Sequence, residues 1–473
     1  MPTGVPGPQL RRREFMGRMA GGVAAAALAS CAHTGPRQAR RRPNVIYTFS
    51  DEHRAQSMSF TEMPELETPN MAALAAQGAT FTHCISNYPV CSPHRAILMT
   101  GRWPYQQGVV DNNIPLGADE TTLAKAFKAE GYDTAYIGKW HLGGTRAEPF
   151  GFDLSLIWSK TNAHWDRSRY HPRDGAPVQP QGYNATLMTD QAIEYIDQHH
   201  RECPDTPFLL MLSWNPPHSD FLDPPEAKKA LYPEGSLPWR ENVDLDARKK
   251  KGARGRIWDQ NSWPYYQGYH AHISAIDNEL GRLMAQLDAL GIADDTILVY
   301  SADHGSMMGS HGLGSKRQPY EESIRVPFSI RWPGVIPAGL ASDALFGSID
   351  LMPTLCGLAG VPVPGSCVGR DFSRVVLGGD GPDPEAQFIM HISKKNASGG
   401  DKHPAPIFRG VRTRRYTYAL YPDERWCLFD NEQDPYQLNN RIADPAMAEV
   451  REKLEGMLRR FLREAEDPLR VPI

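Results

Sequence analysis

The sequence predicts an α/β layered fold: a large, mostly parallel sheet flanked by helices, with a smaller α+β domain at the C-terminal end. Three observations predict it. The chain has 473 residues, 41% hydrophobic and 22% charged, enough to bury a large core and unlike a disordered chain. From Asn44 to about residue 385, short β-rich apolar runs alternate with helical segments, the pattern of a parallel sheet. After that point strand-like runs follow one another closely before one charged amphipathic helix.

The first 43 residues read as an address and a tether. Arg12-Arg13 before Glu14-Phe15-Met16, then a small apolar run, resembles a twin-arginine export signal. Leu28-Ala29-Ser30-Cys31 resembles a bacterial lipobox, which makes Cys31 a candidate lipid anchor. The expected location is the periplasm or cell envelope. No run of about 18 or more apolar residues occurs, so any membrane attachment runs through that lipid.

The first strand is Asn44 to Ser50, rich in β-branched and aromatic residues. Thr68-Pro69 opens a helix that runs to Gly78, and Thr121 opens another that Gly131 ends. Asp133–Gly138, Pro207–Ser213 and Thr296–Ala302 read as further buried strands, with a long helix over 265–290. Residues 222–264, rich in Pro, Lys, Arg and Trp, form an insertion of the kind that shapes clefts. In the last part, 386–473, strands are expected at 387–393, 411–421 and 425–430, with a helix over 444–465. The middle part, 44–385, is then the main α/β domain.

Charge and cysteines exclude several classes. The net charge is −4, which argues against a nucleic-acid wrapper. The seven cysteines are too sparse for a disulfide scaffold and form no Cys-x-x-Cys pair, leaving Cys356 with Cys367 as the one candidate bridge.

Each of the four main strands runs into polar residues: Asp51-Glu52-His53-Arg54, Lys139-Trp140-His141, Asn215-Pro216-Pro217-His218 and Asp303-His304-Gly305. Ligands of open α/β sheets bind beyond those strand ends. Gathering Asp51 and Asp303 there sets like charges together, and a divalent cation resolves the repulsion. Cys91 sits just before a helix carrying Pro93 and closed by Gly101, and Arg95 lies one turn in. A helix N-terminus with an arginine one turn in attracts an oxyanion.

Cys91-x-Pro93-x-Arg95 followed by Thr100-Gly101-Arg102 resembles the signature of the formylglycine-dependent sulfatases, in the alkaline-phosphatase-like superfamily. The resemblance spans most of the chain, through Ser50-Asp51, Gly138-Lys139-Trp140-His141, Pro217-His218, Asp303-His304-Gly305, Gly309-Ser310-His311-Gly312, Lys316 and Leu428-Phe429-Asp430. It implies an alkaline-phosphatase-like fold and a sulfuric ester hydrolase acting on a sulfated carbohydrate or related ester. It also implies that a maturation enzyme oxidises Cys91 to formylglycine, whose hydrate is the nucleophile.

By the same resemblance, Arg95 steadies the nucleophile, Lys139 orients it and His141 is the base. His218 and Lys316 bind sulfate and protonate the leaving oxygen, and His311 is a further anion contact. Asp51 and Asp303 are the metal ligands carried over directly. Glu52 and His304 depart from the commoner Asp-Asp and Asp-Asn pairs, so Glu52 either ligates or flanks. His304 shifts the choice from calcium, the leading ion, towards manganese or zinc. Two alternatives remain: a phosphonate monoester or phosphodiester hydrolase of the same superfamily, and a non-catalytic lipoprotein that binds sulfated glycans. Trp158, His164, Trp165, Trp239, Trp258 and Trp263 are candidate sugar-stacking groups.

Overall fold

The computed structural model describes residues 42–243, 245, 262–393 and 406–470. The export signal, the lipobox cysteine Cys31, Trp258 and most of the second half of the 222–264 insertion lie outside them.

Strand β1 (Asn44–Asp51) is the centre of the molecule. Among the described residues it is followed by β2 (Ala79–Phe81), β3 (Cys84–Ile85), β4 (Asp133–Lys139), β5 (Leu154–Ser159), β6 (Arg169–His171) and β7 (Phe208–Pro217). Then come β8 (Thr296–Ala302), β9 (Phe328–Arg331), β10 (Leu340–Ser342) and β11 (Phe346–Gly347). The main sheet has the order β10-β2-β9-β8-β1-β7-β4-β5-β6, and β3 pairs with β11 beside it. The run β8-β1-β7-β4-β5 is parallel. The four strands read from the sequence are thus contiguous neighbours, and their carboxyl ends share one edge.

Both faces of this sheet are covered, as its continuous apolar runs require. Val45, Tyr47 and Phe49 enter one core with helices α1 (Cys91–Thr100), α2 (Leu123–Ala129) and α3 (Leu351–Ala359). Ile46, Leu210, Leu212 and Leu298 enter the other with α4 (Asn184–Glu202), α5 (Trp263–Ala289) and the short helix Pro69–Ala76. Alternation along β1 sends successive side chains to opposite cores. Helix α4 was not anticipated from the sequence, because its N-cap position, Tyr183, offers no side-chain cap. No helix among the described residues is long and apolar enough to cross a membrane.

The C-terminal part is an antiparallel sheet in the order β12 (Gln387–His391), β13 (Phe408–Arg412), β14 (Tyr416–Leu420) and β15 (Arg425–Asp430), covered by α6 (Ala448–Glu464). The single strand expected over 411–421 is a hairpin. Thr413–Arg415 turn the chain, with the Thr413 hydroxyl accepting the Tyr416 N–H at 2.8 Å. The β-rich residue types on both sides hide this turn, which contains neither Gly nor Pro. Cys356 and Cys367 are both free, so this candidate pair is not bridged.

A buried ion pair ties the C-terminal sheet to the short helix Glu321–Ile324 that precedes β9. Arg412 on β13 holds Glu321 with Nε to Oε1 at 2.6 Å and the second arm at 3.1 Å. Burial pushes the Glu321 carboxyl up, but Arg412 overrides it and sets its pKa at about 2. This contribution to stability is full above the ordinary glutamate value and is lost as pH falls through the folded value. Arg412→Met should cost about 3–5 kcal/mol at neutral pH by stranding a buried carboxylate. In urea melts the deficit should shrink as pH drops below the ordinary glutamate range, whereas a pH-independent deficit would assign it to packing alone.

Candidate active site

Most site residues are delivered by the ends of elements, whereas Lys316 comes from the loop between β8 and the short helix Glu321–Ile324. Gly138 precedes Lys139 with φ of 115°, and a Cβ there would stand 2.1 Å from the Ser213 carbonyl oxygen, so β4 and β7 close tightly only with glycine. Helix α1 begins at Cys91 itself, one residue earlier than expected, after the extended Val90. Its Ser92 N–H is capped by Asn112 Oδ1 at 2.9 Å, and Gly101 ends it in the left-handed region. The Ser92 hydroxyl donates to the carbonyl of His141 at 2.6 Å, which ties the helix start to the end of β4.

Asp51 and Asp303 are fully buried on adjacent strands, and one Arg95 nitrogen, Nη2, reaches both, at 3.1 and 3.2 Å. Its other terminal nitrogen donates to the Lys139 carbonyl at 2.6 Å and to Ser213 Oγ at 2.7 Å. Lys139 Nζ lies 2.5 Å from Asp51 Oδ2. Burial pushes the Asp51 carboxyl up, but Lys139, His218, Arg95 and Lys316 hold it well below the usual range. Burial and the Asp51 charge push Asp303 the other way. Cys91 Sγ lies 3.6 Å from Asp51 Oδ1 and 3.2 Å from His304 Nε2. Burial and Asp51 push that thiol up, but Lys316, Lys139 and His304 outweigh them and favour the thiolate.

Glu52 stands beside this cluster. Its Oε2 is 2.8 Å from Lys316 Nζ and 3.5 Å from His218 Nε2, and with Asp51 and His218 it forms a second group that could hold a metal ion, apart from Asp303 and Cys91. His304 does join them. Its Nδ1 faces the Gly305 carbonyl at 3.0 Å, leaving Nε2 aimed at Cys91, Asp303 and Asp51. Ligand atoms of Asp51, Cys91, Asp303 and His304 all lie within 4.8 Å of one another, a group that could hold a metal ion. The fit is good, since an imidazole oriented by a backbone carbonyl beside buried carboxylates is a common metal-binding arrangement.

Above this cluster opens a cleft of about 1110 Å³. Glu52, Cys91, Lys139, His141, His218 and Lys316 line it. His141 Nδ1 is buried with no partner. His311 is not brought to the cleft: its ring stacks on Tyr320 at 4.1 Å and its Nε2 meets Asn242. Trp158 is the stacking candidate that lines the cleft, whereas Trp239 and Trp263 pack on Tyr266. His164 serves the wall. Asn215 Nδ2 donates to its Nε2 at 3.3 Å, so its Nδ1–H donates to Asp223 at 2.5 Å, and His272 meets the same Asp223 oxygen at 3.4 Å. With their nitrogens engaged, these groups clamp the loops carrying Asn162 and Asp220. The sequence reading missed Asn112 and Arg317, which also line the cleft. The signal for Arg317 was its place next to Lys316.

Protein dialysed against a chelator should therefore melt at lower temperature than protein in excess calcium or manganese, by about 2.7 kcal/mol of stability at a hundredfold excess over Kd. Asp51→Asn and Asp303→Asn should abolish the difference. Equal melting of the wild type with and without ion would show that Arg95 and His304 alone neutralise the pair.

The family model described as sulfatase matches residues 43–361, and that of the N-sulphoglucosamine sulphohydrolase C-terminal region matches 309–464. The chain is 35% identical to the ulvan-active sulfatase of Formosa agariphila, over 90% of this chain and 82% of that one. It is 28% identical to an N-acetylglucosamine-6-O-sulfatase of Bacteroides thetaiotaomicron, over 94% of this chain and 90% of the other. A protein solved in complex with its substrate D-glucosamine-2-N,6-O-disulfate superposes with a TM-score of 0.79 at 25% identity, covering 90% of this chain and 99% of that one. The matched span carries every strand of the main sheet and the helix that begins at Cys91, and the chain belongs to the sulfatase family.

Proposed function

We propose that this sulfatase removes sulfate from a sulfated carbohydrate, and that Cys91, oxidised to formylglycine by a maturation enzyme, carries the nucleophile. One observation carries the reading. Cys91 stands at a helix N-terminus against Asp51, Asp303 and His304, at the floor of a cleft lined by Lys139, His141, His218 and Lys316. The oxidised residue would supply a hydroxyl nucleophile where the thiol stands. Asp51, Asp303 and His304 would hold a divalent cation, which supplies positive charge against the sulfate oxygens when bound. Calcium is the family expectation, and the imidazole donor shifts the choice towards manganese or zinc.

The chain's own groups divide the remaining work. Lys139 and Lys316 present ammonium groups to the sulfate. Burial disfavours the charge on Lys316, but Cys91, Glu52 and Asp51 hold its proton firmly. Burial, with Lys316 and Lys139, sets His218 at about 4, so it is neutral before substrate arrives, and the sulfate charge then favours its protonation beside the leaving oxygen. Burial keeps His141 neutral, and a side-chain hydrogen bond sets its ring against Cys91, where it can accept a proton. Arg95 holds the carboxylates in place from below.

The same reading covers the chain's organisation. Residues 44–385 form the catalytic domain and 386–473 the smaller one. The twin-arginine-like signal directs export, with Cys31 as the lipid attachment point.

The experiment joins peptide mass spectrometry across Cys91 with sulfate release from a panel of sulfated oligosaccharides. An aldehyde at position 91 and released sulfate are expected. Cys91→Ala should lose activity by about 10³-fold or more, and His141→Ala by about 10²–10⁴-fold. An unmodified cysteine with glycan binding but no release would replace the reading with a binding protein. Faster cleavage of an aryl phosphonate monoester than of an aryl sulfate would replace it with a phosphonate hydrolase.

A further inference from the structure

The cleft holds more positive charge than one sulfate needs. Its inner cations are matched by carboxylates: Lys139 by Asp51, Lys316 by Glu52, and Arg317 by Asp111 at 3.2 Å. Lys160 and Arg167 also line it, are exposed, and have no side-chain partner among the described residues. The carboxylate at that rim, Asp220, accepts the Leu222 N–H at 3.1 Å instead.

The sheet register fixes where these cations stand. Lys139 on β4 is level with Trp158 on β5, and Lys160 lies two residues further on. At Lys160 the backbone turns out of the strand line, with φ of 55°, into the loop that carries Arg167. Arg169 on β6 is level with Ser159, so Lys160 and Arg167 flank the mouth of the same loop. Two unneutralised cations thus face the cleft a short step beyond the sulfate-binding groups.

We propose that Lys160 and Arg167 form a second anion subsite. The substrate is then a glycan bearing a further acidic group, a carboxylate or a second sulfate, on the sugar next to the one that is cleaved. This rests on the sulfatase reading and deepens it. A neutral glycan or a simple aryl sulfate leaves both cations without a partner, while an acidic neighbour pairs with them in a partly shielded cleft.

The test compares wild type, Lys160→Gln, Arg167→Gln and the double variant. The substrates are 4-nitrophenyl sulfate and sulfated disaccharides whose second sugar is neutral, carboxylated or sulfated. Each single change should raise KM for the acidic disaccharides by up to about fivefold, the double change more, with kcat held. The aryl sulfate and the neutral disaccharide should be unaffected. The wild-type KM for acidic substrates should rise with salt more steeply than the double variant's. The arm that responds, carboxylated or sulfated, identifies the second anion. Equal effects on neutral and acidic substrates, or none, would overturn the subsite. Calorimetric binding of the same disaccharides to wild type and double variant reads the subsite without turnover. Absent hydrolysis of every sulfate, with charge-dependent binding intact, would therefore fail the sulfatase reading and leave the subsite standing.

Discussion

Two buried carboxylates side by side set the terms for everything around them. Asp51 and Asp303 end neighbouring parallel strands, and their proximity follows from the β1–β8 register, which pairs Ser50 with Ala302. Unrelieved, that juxtaposition would oppose the sheet itself, because both groups lie in low dielectric. Arg95 relieves it from below. To do so it must be buried, aimed at both strands and held there, and its side chain packs 4.8 Å over the Phe49 ring and donates to Ser213 and the Lys139 carbonyl. Helix α1 has to dock at this one point. The neutralisation of the pair therefore also fixes Cys91 one turn away, at the helix start.

The same electrostatics explain the order of charges up the cleft. Asp51 is matched from below by Arg95 and from above by Lys139, and Glu52 is matched by Lys316. The extra methylene of Glu52 and its left-handed backbone, φ of 73°, go with a carboxylate that reaches Lys316 and His218. Lys139 and Lys316 thus stand charged and placed at the cleft floor before any anion enters. That is pre-organisation, which spares the site the cost of gathering like charges when substrate binds.

Much of this was legible in the sequence because the relevant signals are local. The four strands are continuous apolar runs, and each carries its polar residues at the exit, so the shared edge could be read before any register was known. Gly101 marked the end of the Cys91 helix for the same reason. What stayed hidden depends on contacts far apart in sequence. Glu52 against His304 is decided by which side chain Lys316 reaches, 264 residues from Glu52. His311 sits in a glycine-rich run that looks like an anion loop, but Tyr320 captures its ring. The Thr413–Arg415 turn escaped notice because a hydroxyl, and no glycine or proline, makes it.

The C-terminal sheet is part of the active site's support, and the argument runs through one histidine. His391 ends β12 and lies at hydrogen-bonding distance from the Pro406 carbonyl, 2.6 Å from its Nδ1. That nitrogen must carry the hydrogen, which leaves Nε2 to accept from Arg317 at 2.8 Å. Burial and Arg317 set the His391 pKa at about 4, so the accepting form persists at neutral pH. The other arm of Arg317 holds Asp111, next to the Asn112 that caps the helix at Cys91. Arg317 itself follows Lys316 directly in the chain. A strand of the smaller sheet thus anchors an arginine that braces both the loop presenting Lys316 and the loop capping the helix that begins at Cys91. Moving that strand would disturb two opposite sides of the cleft at once, so the two sheets have to be understood as one catalytic unit.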